Sequence, residues 1–281
     1  MTEIVELPRL AEVVAKAPRE NFRVAPLLLP RRARRHLLAV YAFARLVDDV
    51  GDEVDADREA LLAWVRADLD RAYEGRAQHP VLQQLSPSLR ELRLTRDLFL
   101  RLIEANLWDQ RVSRYRTYDE LAEYCTLSAN PVGRLVLEIL GRPTHERIRW
   151  SDDVCTGLQL AEHWQDVGED FRRGRIYLPG EDLAEFGVGE SDLGLQAPTP
   201  AFERLIAFEV ARARSLLASG RPLVRSLSGR ARVLVAGYVA GGTASLDAVE
   251  RSGYHVLASS PRAGSAARGR AVLRLLRETL R

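Results

Sequence analysis

Tyr41-Ala42-Phe43-Ala44-Arg45-Leu46-Val47-Asp48-Asp49-Val50-Gly51-Asp52-Glu53 decides how the rest of the chain is read. With the residues just upstream, Leu37, Leu38, Val40, Tyr41, Phe43, Ala44, Leu46, Val47 and Val50 are apolar around nearly the whole circumference, which predicts a central helix. On that helix Asp48 and Asp52, four residues apart, lie one above the other. Tyr41, Arg45, Asp48 and Asp52 stand at offsets 0, 4, 7 and 11. At about 100° per residue, eleven steps return to within roughly 20° of the start, so a phenol, a guanidinium and two carboxylates share one stripe. Stacked like charges repel by a few tenths of a kcal/mol when exposed and by more when buried. A divalent cation removes that penalty. Oxygen-only ligation suits Mg²⁺, which bridges carboxylates to phosphate oxygens. Alone, the stripe reads equally well as an acidic helix end, with Asp52-Glu53-Val54-Asp55 as a charged turn.

A second segment repeats the geometry. In Gln159-Leu160-Ala161-Glu162-His163-Trp164-Gln165-Asp166-Val167-Gly168-Glu169-Asp170, the residues Gln159, Glu162, Asp166 and Asp170 stand at offsets 0, 3, 7 and 11, again one stripe. Two such helices facing each other across a cleft would hold Mg²⁺ ions and a diphosphate between them. Bound cations would neutralise a departing diphosphate, so that a carbon–oxygen bond ionises without a protein nucleophile. Arginines then matter as diphosphate ligands: Arg45 beside the first stripe, and Arg172, Arg173 and Arg175 beyond the second, with Arg45 and Arg175 ranked first. The alternative for the latter three is a cation cluster at a helix C-terminus.

Between the stripes, Pro131 in Ser128-Ala129-Asn130-Pro131-Val132-Gly133 predicts a kink in a helical run. Ala129 and Gly133 leave space beside it, for the wall of a long apolar pocket or for close helix packing. His36 and His163 read as satisfied core or surface histidines. His163 falls two or three residues off the acidic stripe and is expected to point elsewhere. Trp64, Trp108, Trp150 and Trp164 read most simply as core aromatics.

Several function classes are excluded or disfavoured by composition. Lys and Arg number 41 against 39 Asp and Glu, a formal net charge of +2, with no concentrated basic excess for nucleic acid. Cys125 and Cys155 make no disulfide framework and lack metal-type spacing. The acidic N-terminus has no signal-type apolar core, and no uncharged run of about 18 residues is long enough to span a bilayer. The expectation is a cytoplasmic protein.

The remainder reads as helix after helix. Asp57 caps a helix through Tyr73 that Gly75 closes, Leu92 to Trp108 is helical, and Thr117 or Asp119 caps a helix running to Gly141-Arg142-Pro143. A helix spans roughly Glu146 to Asp170, and Gly174 ends it before the turn segment Ile176-Tyr177-Leu178-Pro179-Gly180. Gly187 to Pro200 is a loop, followed by helices over Phe202 to Ala218 and Val224 to about Val249. Ala266 to Arg281 is a basic amphipathic helix, packed on the bundle or resting peripherally on an anionic bilayer at the inner membrane face. One all-α domain over residues 1–281 is expected.

Tyr41 to Asp52, and Asp166-Val-Gly-Glu-Asp170 followed by Arg-Arg-Gly-Arg-Ile-Tyr-Leu-Pro, resemble the squalene/phytoene synthase family of head-to-head prenyl transferases. The resemblance covers about Asn21 to Val249. Glu20-Asn21-Phe22, Ser128 to Gly133 and His163 to Asp166 look most like the bacterial hydroxysqualene synthases of hopanoid pathways. The resemblance implies the all-α isoprenoid synthase fold with a central cavity. It implies Mg²⁺ at Asp48, Asp52, Asp166 and Asp170, diphosphate contacts at Arg45 and Arg175, and cavity positions at Phe22, Tyr41 and Gln159. Tyr41 joins the four aspartates as a catalytic residue, and Ala129 and Gly133 join the substrate-binding set. The reaction implied is ionisation of presqualene diphosphate, rearrangement of a cyclopropylcarbinyl cation, and capture by water to give hydroxysqualene. It needs no NADPH, and no Gly-rich dinucleotide fingerprint is present. The implied pathway partners are a presqualene diphosphate synthase and a flavin-dependent dehydrogenase. Glu162 departs from the family, in which Asn is common; a carboxylate there still suits a metal. The alternatives are head-to-head condensation of two prenyl diphosphates, to presqualene diphosphate or phytoene, and a non-catalytic helical binding protein of the same fold.

Overall fold

The structure is a computed structural model and describes residues 7–8 and 29–279; Phe22, with Glu20 and Asn21, lies outside the described residues. Its helices are α1 (Arg31–Asp52), α2 (Arg58–Tyr73), α3 (Pro80–Leu92), α4 (Arg96–Asp109), α5 (Tyr118–Ser128), α6 (Asn130–Ile139) and α7 (His145–Arg172). They continue as α8 (Gly180–Phe186), α9 (Pro200–Ser219), α10 (Arg221–Ser226), α11 (Gly229–Arg251) and α12 (Ser265–Thr279). Among the described residues the only β pairing is an isolated bridge between Arg114 and Ile176. The all-α expectation holds. The single domain expected over residues 1–281 is a chain whose contacts gather in two compact helical units, residues 1–111 with 131–144 and residues 112–130 with 145–281.

In the first unit α1 packs against α2, α3 and α4. Leu37, Val40, Phe43, Leu46, Val47 and Val50 are buried along it, and each contributes about 1.5–3 kcal/mol by leaving water. Phe43 meets Phe99 of α4 edge-on at 5.2 Å. The expected cap is present: an Asp57 carboxylate oxygen accepts from the Ala60 amide at 3.0 Å, and Gly75 takes the positive φ (78°) that ends the α2 segment. The helix expected over Leu92 to Trp108 begins later. Arg93 adopts a left-handed conformation (φ 52°) that closes α3, a helix the periodicity did not announce. Thr95 then opens α4.

In the second unit α7 packs against α5, α9, α10, α11 and a short 3₁₀ turn at Glu190–Gly194, while α11 also packs against α12. Thr117, not Asp119, caps α5, accepting from the Glu120 amide at 3.3 Å. The helix expected to run on to Gly141 is interrupted: α5 ends at Ser128 and α6 opens at Asn130. Pro131 has no N–H to give the Leu127 carbonyl, so the kink becomes a break. The helix expected over Val224 to Val249 is likewise two, parted at Leu227, whose ψ of 163° is extended. Ala271 and Leu275 of α12 are buried, whereas Leu273 is 58% exposed. No helix among the described residues is long and apolar enough to cross a membrane.

Candidate functional site

The first carboxylate pair stands at the end of α1, inside the first unit. Asp48 is held by Asn106 of α4, whose Nδ2 donates to an Asp48 carboxylate oxygen at 3.2 Å. Burial pushes the Asp48 carboxyl up to about 7, against the pull of the Asn106 amide and Arg45. Asp52 is exposed on the last turn of α1. Its backbone carbonyl accepts from Arg58 at 3.0 Å, which fixes the turn that follows. Arg45 is 28% exposed and forms ion pairs with the buried Asp49 at 2.8 Å and with Glu53 at 3.2 Å. Tyr41 is half-buried on the same helix.

The second pair stands near the end of α7, inside the second unit. Asp166 accepts a hydrogen bond from the Ser260 hydroxyl, which lowers its proton affinity, yet burial leaves the carboxyl above its ordinary value. Asp170 is pushed up to about 7, by burial first and by the Asp166 carboxylate second; Arg173 and Arg175 oppose the shift. Arg175 is half-buried, its amide donates to the Asp170 carbonyl at 2.9 Å, and it lines a small cavity with Asp170. Arg173 pairs with Glu169 at 2.9 Å, and Arg172 donates to the Leu257 carbonyl at 3.1 Å. Both therefore have partners of their own at the end of α7, and Arg173 also lowers the proton affinities of Asp166 and Asp170. Glu162 is exposed.

His163 corrects an expectation. It is buried, as a core histidine would be, but it does not stay apart from the acidic stripe. It lines a small cavity of about 10 Å³ with Val167, Asp170, Arg175, Tyr177 and Leu193, room for about one water. Its ring stacks on Tyr177 at 3.7 Å, and its Nε2 lies 3.2 Å from the Gln159 amide nitrogen. Burial first, and Arg175 second, drive the imidazole down to about 3. A neutral imidazole accepts through an unprotonated ring nitrogen, which lets the Gln159 amide donate to it. Gln159 is half-buried. Ala129 closes α5 and is half-buried in the second unit, and Gly133 is buried in α6 of the first.

Each pair suits a hard divalent cation. The donors are all carboxylate oxygens, and burial is the first cause that raises the proton affinities of Asp48, Asp166 and Asp170, a desolvation of the bare carboxylate that a bound cation would offset. Among the described residues no group of three or more His, Cys, Asp and Glu side chains forms a metal cage. One or two carboxylates, with waters and substrate phosphates completing the shell, is the usual Mg²⁺ arrangement. Sequence reasoning missed Asn106 and Ser260. Asn106 lies four residues after Leu102 and seven after Phe99, on the core-facing stripe of α4, so a polar residue in an apolar pattern was its signal. Ser260 follows α11 in a Ser-rich loop and gives no such signal.

A family model described as squalene/phytoene synthase matches residues 15–277. The chain is 36% identical over 212 residues to hydroxysqualene synthase of Rhodopseudomonas palustris, covering 74% of this chain and 71% of that one. It is 34% identical over 242 residues to phytoene synthase of Thermus thermophilus, covering 86% and 82%. Among solved structures, squalene synthase HpnC from Alicyclobacillus acidocaldarius matches with a TM-score of 0.79 at 41% identity, over 90% of this chain and 99% of that one. A dehydrosqualene synthase matches in fold, with a TM-score of 0.85 at 23% identity over 96% and 95%.

Proposed function

The chain belongs to the squalene/phytoene synthase family, enzymes that act on isoprenoid diphosphates in head-to-head prenyl chemistry, and we propose that it converts presqualene diphosphate to hydroxysqualene. The observation that carries this reading is the matched pairs Asp48/Asp52 and Asp166/Asp170, whose half-buried members Asp48, Asp166 and Asp170 hold protons more tightly than ordinary carboxylates. When bound, Mg²⁺ would neutralise the diphosphate as its carbon–oxygen bond ionises. Asp48, Asp52, Asp166 and Asp170 would hold the ions, with Glu162 a further oxygen donor. Arg45 and Arg175 would receive diphosphate oxygens. By their match to the family's pattern, Tyr41, Gln159, Ala129 and Gly133 would each contact prenyl chains, while Phe22 lies outside the described residues. Water adds to the rearranged cation and loses a proton to give the alcohol, so no nicotinamide is consumed.

Hydroxysqualene synthases at 36% and 35% identity, and the 41% identical squalene synthase HpnC, support that substrate. In this reading a presqualene diphosphate synthase supplies the substrate and a flavin-dependent dehydrogenase consumes the product. A second reading is condensation of two prenyl diphosphates, which the 34% identity to a phytoene synthase over 86% of the chain favours. Incubating purified protein and Mg²⁺ separately with presqualene, farnesyl and geranylgeranyl diphosphates, with mass analysis of the products, decides between them. Hydroxysqualene from the first supports the proposal; turnover of either of the others alone overturns it. We also propose peripheral contact with an anionic bilayer through α12, whose exposed Arg270 and Arg277 flank the exposed Leu273.

A further inference from the structure

Each aspartate pair contains a glycine, Gly51 between Asp48 and Asp52 and Gly168 between Asp166 and Asp170. Both glycines are places where another part of the same unit comes too close for a side chain. A Cβ on Gly51 would collide with the amide oxygen of Asn106. A Cβ on Gly168 would collide with the backbone of Leu257.

The groups brought in at these two glycines end on the carboxylates. Asn106 is only 6% exposed, and its Nδ2 donates to Asp48 at 3.2 Å and to the Leu102 carbonyl at 3.2 Å. Two donor contacts fix the amide plane, and a buried amide is tolerated only when so satisfied. One turn on, Gln110 donates to the Gly51 carbonyl and to the Asn106 carbonyl, each at 3.0 Å, which ties α4 to α1 at this level. On α7, the loop after α11 lies along the acidic stripe. Val256 accepts from the Gly168 amide at 3.3 Å, Leu257 from Arg172 at 3.1 Å, and Pro261 from the Gln165 side chain. That seating delivers the Ser260 hydroxyl to Asp166.

We propose that Asn106 and Ser260 are positioning residues, each holding the first aspartate of its pair in one orientation for a divalent cation. The inference rests on the reading of both pairs as Mg²⁺ ligands. Neither residue need touch substrate. Each fixes the carboxylate before the ion arrives, so that less ordering is required on binding. Hydrogen-bonded partners of metal ligands commonly change affinity by about 10–100-fold when removed.

Calorimetric titration of Mg²⁺ alone into the full-length protein tests this without reference to turnover. Asp48→Ala and Asp166→Ala identify the ion sites, and Asn106→Leu and Ser260→Ala remove only the braces. Ser260→Ala changes a loop residue, so it stays informative should Asn106→Leu not fold. The expected result is unchanged far-UV circular dichroism, Mg²⁺ affinity lower by about tenfold in each brace variant, and recovery in Ser260→Thr. Wild-type affinity in both brace variants, with loss in the aspartate variants, overturns the positioning role and leaves the Mg²⁺ reading intact. Absence of Mg²⁺ binding to the wild type overturns both.

Discussion

The Leu257 backbone lies against Gly168 so closely that a Cβ on the glycine would stand 2.7 Å from the Leu257 Cα. Neither partner can yield cheaply, because α7 is a regular helix there and the Leu257 carbonyl accepts from Arg172. Gly168→Ala is therefore expected to lose stability by about 1–3 kcal/mol, the usual cost of overpacking, even though alanine is the better helix former. Urea unfolding is the measurement, and a midpoint at or above that of the wild type would remove the close contact from the account.

Asp48→Ala and Asp166→Ala should each reduce turnover of the isoprenoid diphosphate by at least about 10²-fold, as loss of one preorganised charge-stabilising group does. The fold should persist, since a carboxylate that burial already disfavours contributes little to stability when ionised. Steady-state kinetics beside circular dichroism checks both halves. Full activity in either folded variant contradicts the metal role of that pair.

The pH dependence of the metal-free protein follows from Asp48 and Asp170, each raised from 3.8 to about 7. The folded chain holds these protons more tightly than the unfolded one. Their contribution is thus fully present below about pH 4 and is lost as the pH rises to about 7. Thermal melts in chelator should show this decline, and it should flatten in Asp48→Asn and Asp170→Asn. Mg²⁺ competes with the same protons, so its stabilising effect should grow over the same interval. An effect of Mg²⁺ that is equal at both ends would separate these carboxylates from ion binding.

Membrane contact is best tested without deleting α12, because Ala271 and Leu275 are part of its buried face and truncation would strip α11. Arg270→Glu with Arg277→Glu reverses two exposed charges and leaves that packing alone. Each basic residue near an anionic surface contributes about 1 kcal/mol, so sedimentation with phosphatidylglycerol vesicles should fall by roughly tenfold or more in the double variant. Equal pelleting of the two proteins, or none by either, counts against a bilayer role.

The helical class, the central position of α1 and the two carboxylate stripes were legible because spacing alone sets which residues share a helix face. Caps at Asp57 and Thr117 and the stops at Gly75, Gly141 and Gly174 were legible for the same local reason. What escaped lay either in single backbone torsions or in tertiary approach. The break at Ala129 and the left-handed Arg93 divide helices whose apolar pattern runs on, and periodicity does not see a single backbone torsion. His163 was set apart by its short sequence separation from Asp166, whereas it stands seven residues before Asp170, about 20° from it around the helix, and lines the same cavity, its ring stacked on Tyr177. Ser260 meets Asp166 across 94 residues of sequence, by subtraction of the two numbers, and no local rule links them.

Because the segment from Val256 to Pro261 is bonded along α7, the order of Asp166 depends on residues that follow α11, far from it along the chain. A stop codon placed just after Arg251 would spare every aspartate and still leave the second pair loosened. Fusions made at that point would inherit the same defect, while one joined beyond Thr279 would not.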